Sequence, residues 1–137
     1  MASFSAISEF RLNTCHPDLI TLFNEVIKVF DCTILEGYRG KEAQEAAFKA
    51  GNTKLHYPDG KHNSKPSHAV DASPTPIDWS NTTRFFWFAG FVMGVAEQLY
   101  SLGKIKSKIR YGGDWNGNYD ITDEHGLKDL VHFEIED

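Results

Sequence analysis

Apolar residues first recur at helical spacing at Leu19, Leu22, Phe23, Val26 and Phe30, a pattern that predicts one amphipathic helix. Pro17 fits its first position, and Asp18 lies in the first turn, where the helix dipole favours an acid. Cys32-Thr33-Ile34-Leu35 follows as a short strand ending at Gly37-Tyr38-Arg39-Gly40. A second helix runs from about Lys41 to Ala50, rich in alanine and glutamate and stopped by Gly51. From Asn52 to Ser67 there is no periodicity, with two prolines, a glycine and many polar residues, so this is a long loop of the kind that carries function. Ala69-Val70-Asp71-Ala72 reads as a strand with Val70 and Ala72 on one face and Asp71 on the other. A third helix, capped by Ser80 or Asn81 and ending at Gly103, carries Phe85, Phe88, Ala89, Val92, Val95, Ala96 and Leu99 as the centre of the core. Trp87, on the same helix, is expected in that core as well. Lys108 to Tyr111 and Leu130 to Ile135 complete the strands. No repeat or linker divides residues 1–137, which predicts one α+β domain: three main helices on a small, mostly antiparallel sheet.

Composition narrows the classes of function. With 137 residues, 41% hydrophobic and 24% charged, the chain can bury a core without staples. Fourteen basic against nineteen acidic side chains give a net charge of −5, which argues against a nucleic-acid binder, whose surface carries a basic patch. Cys15 and Cys32 are too few for a disulfide framework or a thiolate metal site. The N-terminus has no basic region followed by a long apolar run, so no signal peptide is expected. The richest apolar stretch, Phe85 to Val95, is too short to span a bilayer. We therefore expect a monomer without membrane insertion that starts in the cytoplasm.

The last strand holds the most informative residues. Alternation puts His132 and Glu134 on one face and Val131, Phe133 and Ile135 on the other, so the apolar set can meet the helices while His132 faces a cleft. His132, His62 of the long loop and Asp71 are two imidazoles and a carboxylate, a set that suits tetrahedral zinc with one position open. Asp129 supplies a carboxylate beside that open position, the equipment of a hydrolase. In an unbroken strand Asp129 points away from His132, so it must sit in the turn entering the strand, or at a bulge. His56 and His68 compete as ligands from the same loop. A second oxygen-rich run, Asp114-x-Asn116-x-Asn118-x-Asp120-x-x-Asp123, has ligands at alternate positions and Gly117 to relax the turn, as a calcium loop needs. His125 stands where the closing glutamate belongs, and the alternative is a solvated polar loop.

His62-Asn63-Ser64-Lys65-Pro66-Ser67-His68-Ala69-Val70-Asp71 resembles the His-Asn-x-x-Pro-Ser-x-Ala-Val-Asp segment of VanY-like zinc peptidases. That family includes D-alanyl-D-alanine carboxypeptidases and the L-alanyl-D-glutamate peptidases that tailed phages use as endolysins. Asp129-Leu130-Val131-His132-Phe133-Glu134 resembles its closing Asp-x-x-His-x-Glu motif. Gly37-Tyr38-Arg39-Gly40 and Tyr111-Gly112-Gly113-Asp114-Trp115 resemble two further stretches, and the order is kept from about His16 to the C-terminus. The resemblance implies His62, Asp71 and His132 as zinc ligands and Asp129 as general base. It implies Arg39 as the cation that polarises the scissile carbonyl and steadies the oxyanion. Trp115, Ser67 and His68 are expected to line the substrate groove, on the open face of the sheet. Many relatives have serine two positions before the first ligand histidine; here Gly60 stands there.

The function so implied is hydrolysis of the stem peptide of bacterial peptidoglycan, at the L-alanyl-D-glutamate bond, by a phage endolysin. Such an enzyme waits in the host cytoplasm and reaches the periplasmic wall after membrane permeabilisation. The alternatives are a D-alanyl-D-alanine carboxypeptidase and a non-catalytic, zinc-stabilised wall-binding module.

Overall fold

Alternation along the strands separates an apolar face from a polar one, and this decides the architecture. The computed structural model describes residues 2–123 and 128–136. Strands β1 (Cys32–Glu36), β2 (Ala69–Pro74), β3 (Ile109–Tyr111) and β4 (His132–Ile135) form one antiparallel sheet in the order β1-β2-β4-β3. Helices α2 (Pro17–Val26) and α4 (Thr82–Ser101) cover one face. Their Leu19, Leu22, Phe23, Val26, Phe88, Val92 and Ala96 join Ile34, Val70, Ala72, Phe133 and Ile135 in one buried cluster. Phe133 lies at its centre, edge-on to Phe23 at 5.6 Å and Phe88 at 6.2 Å and stacked on Tyr111 at 5.0 Å.

The other face of β2, β3 and β4 carries Asp71, Arg110, His132 and Glu134. The segment from Gly37 to Ser67 folds over it, with α3 (Lys41–Lys49) and a 3-10 turn at Lys61–Asn63. The α+β layout of helices on a small antiparallel sheet is therefore as expected from the pattern.

Four details differ. A short extra helix, α1 (Ala6–Leu12), precedes the three main ones, capped by Ser5, whose hydroxyl accepts the Ser8 N–H. Ser8 Oγ accepts the Ile34 N–H at 3.1 Å and Arg11 donates to the Ile34 carbonyl at 3.2 Å, beside the register shift between Ile34 and Glu36. Helix α1 thus covers the outer edge of β1, an edge that proteins otherwise blunt with charge or bulges. Its seven residues leave Ile7 and Phe10 exposed and form no apolar stripe, so periodicity could not find it. Helix α2 stops at Val26, and Phe30 packs from the following turn against Phe88 and Phe91. Strand β4 begins at His132 rather than Leu130, because a turn occupies the preceding residues. Trp87 is 75% exposed, since Phe85 and Phe88 take the inner face of α4. No helix among the described residues is long and apolar enough to cross a membrane.

Because Phe133 has aromatic partners on α2, α4 and β3, truncating it leaves a cavity that no single neighbour can fill. Phe133→Ala is expected to cost about 3–5 kcal/mol in urea unfolding. A loss below about 1 kcal/mol, the range of a surface change, would show that the core is centred elsewhere.

Candidate active site

The register of β2 and β4 pairs Asp71 with His132 across the ladder. Asp71 Oδ1 lies 3.2 Å from His132 Nδ1 and 3.2 Å from His62 Nε2. A nitrogen of each imidazole and an oxygen of Asp71 fall within 4.8 Å of one another. Each ring is turned by a bond on its far side. His62 Nδ1 donates to the Gly37 carbonyl at 2.7 Å, so its Nε2 faces Asp71. His132 Nε2 bonds Glu134 Oε1 at 2.8 Å, so its Nδ1 faces Asp71. Glu134 is itself held by Arg110 at 2.7 Å. Outer hydrogen bonds of this kind fix ring orientation at metal sites. Gly37 is required there, since a Cβ would meet Thr14 Oγ1 at 2.2 Å and the Arg11 carbonyl at 2.4 Å.

The donor set fits a borderline-soft divalent cation: two imidazole nitrogens, one carboxylate oxygen, and no fourth ligand grouped with them among the described residues. Asp129 sits in the turn that enters β4. His132 N–H donates to its carbonyl at 3.2 Å, and its own N–H donates to the Gly112 carbonyl at 2.9 Å. Its Oδ2 is 3.8 Å from His132 Nδ1, and its side chain is 35% exposed to the groove. Gly112 makes this approach possible, because a Cβ there would lie 2.3 Å from the Asp129 carbonyl. Arg39 pairs with Glu36 through Nε at 2.9 Å and through NH2, and its NH2 is 3.8 Å from Asp71 Oδ2. A groove of about 400 Å³ over these groups is lined by Arg39, Leu55, His62, Trp115, Asp129 and His132, among others.

The remaining expected residues divide. The Trp115 ring centre is 5.7 Å from that of His132, and the indole forms one wall of the groove. Ser67 is fully buried, its hydroxyl bonded to the Ala69 and Gly37 carbonyls. It lies beneath the His62 turn instead of in the groove. His68 packs edge-on to His16 at 5.4 Å, in a separate hollow with Tyr100 and Lys106. Alternation accounts for this, because His68 has the parity of Val70 rather than of Asp71. His56 bonds Glu45 at the outer rim.

In the oxygen-rich loop, Asn116, Asn118 and Asp120 each accept the backbone N–H two residues on, at 3.1, 2.9 and 2.9 Å. Asp114 Oδ2 accepts the Tyr119 N–H at 2.9 Å, while its Oδ1 is buried with no hydrogen-bond partner among the described residues. The Asp123 side chain and His125 lie outside the described residues.

Three groups escaped sequence reasoning: Arg110, which holds Glu134, and Gln44 and Asn63, which bond each other and Arg39. The parity of Glu134 with His132 pointed to the first contact; nothing in the local pattern pointed to the others.

Environment sets the two central carboxylates apart. Burial alone would raise the pKa of Asp71, but hydrogen bonds from His132 and His62 outweigh it and hold the group well below the ordinary carboxylate value. Asp129 is shifted upward, by burial first and then by the field of Asp71, against the pull of the two histidines. His132 loses charge through burial and regains it from Asp71 and Glu134, ending at about 9. Burial pushes the thiols of Cys15 and Cys32 up to about 12, so neither is a nucleophile.

An open sheet face with two histidines and an aspartate, flanked by a carboxylate with a raised pKa and a guanidinium, has the layout of a hydrolytic metal centre. A family profile described as phage L-alanyl-D-glutamate peptidase matches residues 1–136. The chain belongs to that family. It is 31% identical over 140 residues to the L-alanyl-D-glutamate peptidase of Escherichia phage T5, across 96% of both chains. The crystal structure of the L-Ala D-Glu endopeptidase ChiX of Serratia marcescens has the same fold, with a TM-score of 0.68 at 22% identity, over 98% of this chain and 90% of that one.

Glu134 gives a test of the ring of bonds behind His132. Burial raises its pKa, but hydrogen bonds from His132 and Arg110 win and lower it from 4.5 to about 2. A folded pKa below the unfolded one adds stability above the unfolded value, and that stability is lost as pH falls through the folded value. In metal-free protein, Glu134→Gln should therefore flatten the loss of stability between pH 4.5 and about 2. Parallel curves of urea midpoint against pH for the two proteins would remove the assignment.

Proposed function

We propose that this protein is a zinc-dependent peptidoglycan endopeptidase that cuts the L-alanyl-D-glutamate bond of the stem peptide, acting as a phage endolysin. The observation that carries the reading is Asp129, a groove-lining carboxylate with a raised pKa beside a His–Asp–His donor set, in a chain of this family. His62, Asp71 and His132 would hold the zinc, which supplies Lewis acidity and brings the pKa of a bound water to roughly 7. Asp129 takes the proton of the attacking water and delivers it to the departing amine. Its raised pKa suits a group that must be protonated for part of each turnover. Arg39, 14% exposed and anchored by Glu36, presents fixed positive charge where the carbonyl oxygen becomes anionic. Trp115 gives the peptide an apolar wall.

Mass spectrometry of digested muropeptides tests the bond assignment. Cleavage between L-alanine and D-glutamate, abolished by a chelator and restored by zinc, is the expected result. Loss of one terminal alanine would mean a carboxypeptidase instead. Asp129→Ala should keep zinc and fold yet lose roughly 10²–10⁴-fold in rate. Undiminished turnover by that variant would sink the base assignment, and inert wild-type protein with full zinc would leave only a wall-binding module.

We propose in addition that the loop of Asp114, Asn116, Asn118 and Asp120 takes calcium. Its support is the buried Asp114 Oδ1, a carboxyl oxygen without a donor among the described residues, in a run of oxygen ligands at alternate positions. Calcium titration should shift the amide resonances of residues 114–122 at sub-millimolar to millimolar concentrations. Unchanged spectra would reduce the segment to a polar turn.

A further inference from the structure

Helix α3 buries a single residue, and that residue is a glutamine. Gln44 is 1% exposed on a helix that otherwise faces the solvent or the loop beyond it. Both ends of its amide are bonded. Nε2 donates to the Leu55 carbonyl at 2.7 Å, and Oε1 accepts from Arg39 NH1 at 3.1 Å and from Asn63 Nδ2 at 3.2 Å. Only this orientation of the amide satisfies all three, because a carbonyl needs a donor and a guanidinium an acceptor. One end of the side chain therefore holds the lip of the groove, residues 52–60, and the other holds the guanidinium beside the metal ligands.

The lip has further ties to the same helix. Glu45 accepts from the Tyr57 N–H at 2.9 Å and bonds His56 Nδ1 at 2.8 Å, and the His56 ring lies on Phe48 at 3.7 Å. Those contacts are exposed. The buried one alone reaches Arg39. Gly60 lies directly on the amide, where a Cβ would come within 3.2 Å of both Gln44 Nε2 and Oε1. Glu36 fixes one edge of the guanidinium through Nε and NH2. Gln44 fixes the remaining nitrogen, so it sets the angle at which Arg39 meets the groove without supplying its charge partner.

We infer that Gln44 is a positioning residue that couples the 52–60 lip to the Arg39 guanidinium, so that closure of the lip on a peptide and orientation of the oxyanion-facing cation are one event. The inference rests on the role proposed for Arg39. Two variants separate the halves of the coupling. Gln44→Glu keeps acceptor oxygens for Arg39 and Asn63 but loses the donor to Leu55. Gln44→Met keeps the volume and loses both.

On a purified soluble muropeptide, Gln44→Glu should raise KM roughly 10-fold with kcat within about 2-fold, whereas Gln44→Met should also lower kcat roughly 10- to 100-fold. The kcat loss from Gln44→Met should vanish in an Arg39→Ala background, the signature of residues acting through one another. Two readouts do not depend on turnover. Amide exchange at residues 53–57 should quicken in both variants, and the Arg39 Nε–H resonance should move in Gln44→Met far more than in Gln44→Glu. Full additivity with Arg39→Ala, or lip exchange and an arginine resonance like those of the wild type, would overturn the coupling. Loss of zinc or of cooperative unfolding in both variants would overturn it too, making Gln44 a residue of the fold. Wild-type protein inert on the muropeptide with full zinc would defeat the proposed activity instead, and the two spectroscopic readouts would still decide the coupling.

Discussion

The antiparallel pairing of β2 with β4 sets Asp71 opposite His132 and Val70 opposite Phe133, and the rest of the molecule depends on that register. Side chains alternate with a strict period of two, so a slip of one residue would carry Asp71 or His132 into the core and bring Phe133 out to the cleft. The packing of Phe133 against Phe23, Phe88 and Tyr111 opposes such a slip. Core and site are thus two faces of one ladder. Apolar burial on the helix side holds two of the three metal-ligand candidates at hydrogen-bond distance on the other, before any cation enters.

That juxtaposition has an electrostatic consequence. Asp71, Asp129 and Glu134 crowd one region, and each is treated differently by its neighbours. Asp71 accepts from both imidazoles and stays ionised, Glu134 is neutralised by Arg110 and His132, and Asp129 receives the unfavourable remainder. Groups of one kind whose environments drive their pKa values apart mark a division of roles. Here the strongly ionised Asp71 suits a permanent ligand, and the carboxylate with the raised pKa suits one that exchanges a proton. The turn at Asp129, held to Gly112, lets that carboxylate reach the groove.

The portion of this arrangement that repeats along the chain was legible in the sequence. Period two placed Val70, Phe133 and Ile135 inward and Asp71, His132 and Glu134 outward, and period 3.6 found α2 and α4. Helix α1 was not legible because it works by hydrogen bonds to a strand edge, which leave no apolar stripe. His62 and Arg39 lie on a loop and a turn, where no periodicity exists, and motif resemblance rather than pattern singled out the arginine. His68 and Ser67 stood in the same motif as His62, yet parity turns one away and burial encloses the other. Gln44 was invisible because its partners Arg39, Leu55 and Asn63 meet only in the folded chain.

Sheet and loop consequently carry different duties. Asp71 and His132 are fixed by the ladder, and a change in the loop cannot move them without disturbing the core. His62 is anchored to the Gly37 carbonyl, and Gly37 has no room for a side chain. The ligand set is therefore rigid on all sides. The Arg39 guanidinium is instead held by side chains of Glu36 and Gln44, and the 52–60 lip is tied to α3, which contributes one buried residue to the body of the protein. Serine at position 60 would press a Cβ against both ends of the Gln44 amide and against Asn63 Oδ1 at 2.8 Å. Gly60 leaves that space to the glutamine amide. Variation in this layer can retune how the groove closes while the ligand set beneath it stays as the ladder fixes it.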